Sequence, residues 1–72
     1  MRLTKKRDGK WSTPYLQGKY KHHIVKIDTQ RNGKYYYLLE KGEYRYNSLW
    51  DAEEFASVEE AASVAKAHID GI

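Results

Sequence analysis

The chain has 72 residues, 13 basic and 10 acidic side chains, seven tyrosines, two tryptophans and no cysteine. A chain this short forms one small domain with no room for a deep substrate cleft, which argues against an enzyme, and without cysteine neither a disulfide framework nor a thiolate zinc site supplements its core. No apolar run approaches the roughly 20 residues that span a bilayer and the amino terminus lacks the apolar stretch of a secretory signal, so the expectation is a cytoplasmic protein with no cofactor and no membrane association.

Charge is unevenly placed. Arg2, Lys5, Lys6, Arg7, Lys10, Lys19 and Lys21 face only Asp8, which leaves the first 21 residues at +6. From Trp50 onward Asp51, Glu53, Glu54, Glu59, Glu60 and Asp70 face only Lys66, which leaves that end at −5. A polyanion would be held by the first part and repelled by the last. Acids around a helix start also complement its dipole without serving any partner.

Residues 1–18 are basic, carry Asp8-Gly9, Pro14 and Gly18, and lack a sustained apolar period. They read as a basic arm, or as an accessory hairpin in which the Asp-Gly turn pairs Thr4 to Arg7 with Lys10 to Thr13, docked by Trp11, Tyr15 and Leu16. Residues 19–72 read as the sheet-plus-helix domain. Three stretches rich in β-branched and aromatic residues follow, about Tyr20 to Asp28, Lys34 to Glu40 and Glu43 to Trp50. Gln30-Arg31-Asn32-Gly33 and Lys41-Gly42 separate them, and such short connections make neighbouring strands antiparallel.

Ser57-Val58-Glu59-Glu60 is a capping box that fixes the start of the one convincing helix. Val58, Ala61, Ala62, Ala65 and Ile69 recur at the spacing of a buried stripe, with Glu59, Ser63, Lys66 and Asp70 opposite and Gly71 as a stop. The predicted fold class is α+β, a three-stranded antiparallel sheet packed on one C-terminal helix.

Strand parity follows from asking which face would bury charge. His23, Val25, Ile27, Tyr35, Tyr37, Leu39, Tyr44, Tyr46 and Trp50 then belong to the core. His22, Ile24, Lys26, Lys34, Tyr36, Leu38, Arg45 and Asn47 belong to a face that one helix leaves open. Cations interleaved with rings suit nucleic acid, because Lys and Arg neutralise phosphates while a ring stacks on bases or sugars. The alternative is that the arm folds back over this face, since small domains avoid bare apolar patches.

Other chemistry is less well supported. His22 and His23 are neighbours in a strand, point to opposite faces and cannot share one metal ion. Asp51, Glu53 and Glu54 read as a solvated connection into the helix, and no nucleophile signature or glycine-rich phosphate loop accompanies them.

The junction residues Phe55, Ser57, Glu59, Glu60, Ala61 and Ala62, together with Arg31-Asn32-Gly33-Lys34-Tyr35, resemble the plant ethylene-response-factor DNA-binding domain and its relatives in the arms of mobile-element integrases. Short phage and prophage proteins look similar too. The resemblance spans roughly residues 20 to 70 and implies a sheet set against double-stranded DNA, with Arg31, Lys34 and Arg45 as contacts. Tyr35 stands where the family has tryptophan, and Trp50 to Glu54 lengthens an approach that is tight in the family.

Residues and resemblance together give the expectation of a small non-enzymatic module that binds nucleic acid, double-stranded DNA first. Lys26, Arg31, Lys34 and Arg45 would anchor the backbone and Tyr36 would pack on sugar or base. Asn47 would read a base edge, and Lys5, Lys6, Arg7 and Lys10 would reach an adjacent groove. The alternative is a protein-interaction module, such as a phage-encoded modulator of a host protein, because Tyr, Trp and Arg also favour protein interfaces and sheet edges accept further strands.

Overall fold

The computed structural model describes residues 1–7 and 14–72. Its strands are β1 (Thr4–Lys6), β2 (Tyr15–Tyr20), β3 (His23–Thr29), β4 (Tyr35–Lys41) and β5 (Tyr44–Asn47), followed by a 3-10 turn over Ser48–Asp51 and the helix α1 (Val58–Asp70). Each strand pairs antiparallel with the next, in chain order. The α+β class, the antiparallel meander and the C-terminal helix are therefore as expected, but among the described residues the sheet has five strands rather than three.

The two further strands come mostly from residues assigned to the arm, all of β1 and Tyr15 to Gly18 of β2. Thr4 lies opposite Gln17 and Lys6 opposite Tyr15, so β1 pairs with β2. Lys10 and Trp11 themselves fall outside the described residues. The single strand expected over Tyr20 to Asp28 is interrupted, because the chain reverses at Lys21 and His22 with φ of 46° and 69°. Both residues adopt the left-handed conformation that a two-residue hairpin turn requires at its centre. His22 is consequently a turn residue and not part of a sheet face.

The third expected strand stops three residues early, at Asn47. Asn47 Oδ1 accepts a hydrogen bond from Leu49 N at 2.9 Å and turns the chain into the 3-10 segment. Past that cap the alternation of a strand no longer applies, and Trp50 is 66% exposed instead of joining the core. Tyr44 also leaves the core for its margin, 39% exposed, with its hydroxyl 3.4 Å from His68 Nε2.

The core consists of Val25, Ile27, Tyr37, Leu39, Phe55, Ala61, Ala65 and Ile69. Ser57 Oγ accepts from Glu60 N at 3.1 Å and starts α1, and Gly71 caps its end. Ala61 and Ala65 let the helix lie close over β3 and β4, where large strand residues fill the space. Phe55 is held by paired backbone hydrogen bonds with Tyr35 and stacks on Tyr37 at 5.7 Å between ring centroids. Buried Ser48 accepts from Tyr37 N and donates to Glu53 O, both at 3.1 Å, which ties the long connection to the sheet.

Leu3 packs against this core, and Met1 and Arg2 cross the helix side of β2 at Gly18. An added Cβ at Gly18 would lie 2.8 Å from the Arg2 carbonyl oxygen, so the close crossing needs glycine there. The amino terminus thus fills the side of the sheet that α1 already occupies. Residues 1–7 do not fold over the opposite face.

Candidate nucleic-acid interface

The strand register defines the face turned away from α1. Leu16, Gly18 and Tyr20 lie opposite Ile27, Val25 and His23 on the helix side, so Tyr15, Gln17 and Lys19 project the other way. One row across this open face runs Gln17, Lys26, Leu38, Asn47. Another runs Lys19, Ile24, Glu40, Arg45. A third places Asp28 beside Tyr36, in line with Lys6 and Tyr15 at the β1 margin. None of these residues is buried.

Of the expected site residues, the face brings together Lys26, Tyr36, Arg45 and Asn47, and adds Lys6 from β1. Lys34 lies just outside the strands. That residue precedes β4 in the β3–β4 turn, exposed beside Arg31. Lys5 lies opposite Leu16 in register, on the helix side, while Lys5, Lys6, Arg7 and Pro14 line an open hollow of about 250 Å³ at the β1 margin.

The centre of the face carries acids as well as cations. Lys26 Nζ lies 3.3 Å from Glu40 Oε1 and 5.6 Å from the centre of the Tyr15 ring. Arg45 approaches the same Glu40 oxygen at 3.9 Å and donates from Nη1 to the carbonyls of Gly42 and Tyr44 at 2.6 and 2.8 Å. Asp28 Oδ1 accepts from Thr29 N at 2.8 Å. The Tyr36 hydroxyl is raised above the usual phenol range by partial burial first and by the neighbouring Asp28 carboxylate second. Asn47, expected at a base edge, is engaged in capping the 3-10 turn.

The β3–β4 turn is fixed from the other side of the molecule. Glu54 Oε2 accepts from Gln30 Nε2 at 2.6 Å and from Asn32 Nδ2 at 3.0 Å, and these two hydrogen bonds hold its carboxyl below the ordinary glutamate range. Arg31 and Lys34 are carried on this fixed loop. At the far end, Asp70 pairs with Lys21 at 2.6 Å and accepts from the Tyr20 hydroxyl at 2.9 Å, so Glu54 and Asp70 both serve the fold.

Comparison finds no matching family model, curated protein or solved structure.

On the helix side, rings crowd around His68. Its Nδ1 is 3.2 Å from the Tyr37 hydroxyl, and the Tyr46 ring lies 4.4 Å away. Tyr46 donates to Asp51 Oδ2 at 2.5 Å, which with burial raises its hydroxyl well above the ordinary range. Burial raises Tyr37 to about 12. Among the described residues no group of three or more His, Asp or Glu side chains is placed to hold a metal ion.

Sequence reasoning missed four members of the open face: Tyr15, Gln17, Lys19 and Asp28. The first three carry the alternation Tyr15-Leu16-Gln17-Gly18-Lys19-Tyr20, which is a strand pattern interrupted only by the glycine that lets Arg2 pass. Asp28 has the same parity as Lys26 and could have been placed with it.

Proposed function

We propose that the chain is a small binding module that takes nucleic acid on the open face and the β1 margin of its sheet. The observation that carries this reading is the face that no described residue covers, where Tyr15, Ile24, Tyr36 and Leu38 lie among Lys6, Lys19, Lys26 and Arg45. Rings and aliphatic side chains supply stacking surface, and the cations supply phosphate neutralisation. The exposed Lys5, Lys6 and Arg7 at one margin, with Arg31 and Lys34 on the β3–β4 turn, extend the positive rim. The resemblance of the turn and junction residues to a sheet-type DNA-binding domain supports the same reading. The acidic approach to α1 and its first turn lie on the opposite side of the sheet, where a polyanion is disfavoured.

The test is fluorescence anisotropy with a labelled mixed-sequence DNA, in single-stranded and duplex form, at low and moderate salt. Binding to either form that weakens with salt supports the module, and replacing Lys6, Arg31 and Lys34 by alanine together should weaken it and flatten the salt slope by roughly two to three. Lys66→Ala, on the helix, should leave it unchanged. Absence of binding to both forms at low salt, or equal losses from both sets of changes, overturns the reading.

A protein partner is the second reading, and it rests on the other edge of the sheet. Trp50, 66% exposed against the Tyr46 ring, stands beside the unpaired side of β5 with half-exposed Tyr44 nearby. An apolar contact there would hardly respond to salt.

A further inference from the structure

We infer that the nucleic acid is single-stranded, with its bases lying on the Tyr36, Ile24 and Leu38 surface and its phosphates held at the β1 margin by Lys6 and Arg7. This rests on the nucleic-acid reading above and narrows it to one chemical form.

Two observations carry the narrowing. The first is width. Five strands at a spacing of about 4.8 Å place β1 and β5 roughly 19 Å apart, whereas the major groove of a duplex is about 12 Å wide. The face as a whole does not fit in the groove. Unstacked bases can instead come to the sheet.

The second is the charge layout. Asp28 and Glu40 sit in the middle of the face, and Glu40 already occupies Lys26 and lies near Arg45. Phosphates over this centre would meet carboxylates and cations that are partly neutralised. Bases would not be repelled, because their exocyclic amino groups donate to carboxylate oxygens. Cations with no ion pair among the described residues gather at the margin instead, with Lys6 in line with Asp28 and Tyr36 and with Arg7 next to it. The arrangement sorts the ligand into an inner row of bases and an outer row of phosphates, which a single strand can satisfy by turning its bases one way.

Tyr36 is the ring on which this depends, since the Tyr15 ring already faces Lys26. The test uses the full chain with a fluorescein-labelled 12-nucleotide mixed-sequence single strand and a hairpin duplex of the same sequence. The single strand should bind at least about ten-fold more tightly, Tyr36→Ala should cost it about ten-fold, and Tyr36→Phe should retain most of the affinity. Duplex binding should not change in Tyr36→Ala. Amide chemical-shift mapping of the unaltered protein with the same strand keeps the test valid if the alanine variant is poorly folded, with shifts expected at Ile24, Asp28, Tyr36 and Leu38. Equal or tighter binding of the duplex, an unaffected Tyr36→Ala variant, or shifts confined to α1 overturns the single-strand inference while leaving nucleic-acid binding in place. Failure of both probes removes the two together.

Discussion

Lys26 Nζ and Glu40 Oε1 are 3.3 Å apart in the middle of the open face, on side chains only 22% and 27% exposed. The pair ties β3 to β4 across one diagonal step of the register, and it sets how much positive charge the face offers.

The change Glu40→Gln releases Lys26 and removes the carboxylate near Arg45. Single-stranded DNA should then bind several-fold more tightly, with a salt slope steeper by roughly 0.7 for each cation newly engaged. Stability should move by no more than about 1 kcal/mol, because a partly exposed pair contributes little once screening and side-chain ordering are counted. Anisotropy titrations at two salt concentrations check it, and an unchanged slope would mean that Lys26 does not meet phosphate even when free.

How this face was legible in part illustrates what a sequence carries. The capped helix, the core parity of Val25, Ile27, Tyr37 and Leu39 and the turn at Asn32-Gly33 are local patterns, and each is found where the pattern puts it. Those signals lie within a few residues of one another. The extra strands were not legible for the opposite reason. β2 is held by pairing with β3 and its alternation is broken by Gly18, whose role depends on Arg2, distant in sequence. Trp50 was misplaced because one hydrogen bond, from Leu49 N to the Asn47 side chain, ends the strand before the alternation reaches it. The acids on the open face were visible as residues, but their effect on Lys26 and Arg45 depends on strand register.

His22 adopts φ of 69° at the second central position of the β2–β3 turn, a conformation that costs a side-chain-bearing residue roughly 1 to 2 kcal/mol. His22→Gly should therefore raise stability by about 1 kcal/mol, after allowance for the entropy that glycine loses on folding. Lys21, also left-handed, is better kept because it pairs with Asp70. Urea midpoints of the two chains check this, and a loss of stability would show that the histidine makes a contact worth more than the strain.

Acid should loosen the two ends of the molecule. The carboxyls of Glu54 and Asp70 are both held below their ordinary range by hydrogen bonds, Glu54 from Asn32 and Gln30, Asp70 from Lys21 and Tyr20. A carboxyl depressed in the folded state contributes stability that is fully present above its unfolded pKa and is lost as pH falls through the folded one. Stability should thus decline below about pH 4.5, where the unfolded chain begins to take up protons first. Glu54→Gln should flatten that decline and, by hydrogen exchange, speed amide opening in the β3–β4 turn. A parallel decline in both chains would assign the acid sensitivity to other groups.

The tightest constraint on the amino terminus is at Gly18. An added methyl group there would lie 2.7 Å from Met1 Cγ and 2.8 Å from the Arg2 carbonyl oxygen. The Met1 side chain can swing away, but the backbone of Arg2 can move only by drawing Leu3 off the core and β1 off β2. Gly18→Ala should therefore cost on the order of 1 to 3 kcal/mol, the range for overpacking, and weaken DNA binding by displacing Lys6 and Arg7. Deleting Arg2 and Leu3 removes the obstruction. In that shortened chain the same substitution should become neutral or mildly stabilising, because alanine loses less backbone entropy than glycine in a strand. An equal loss in both backgrounds would place the clash elsewhere and detach the amino terminus from the structural role assigned to it.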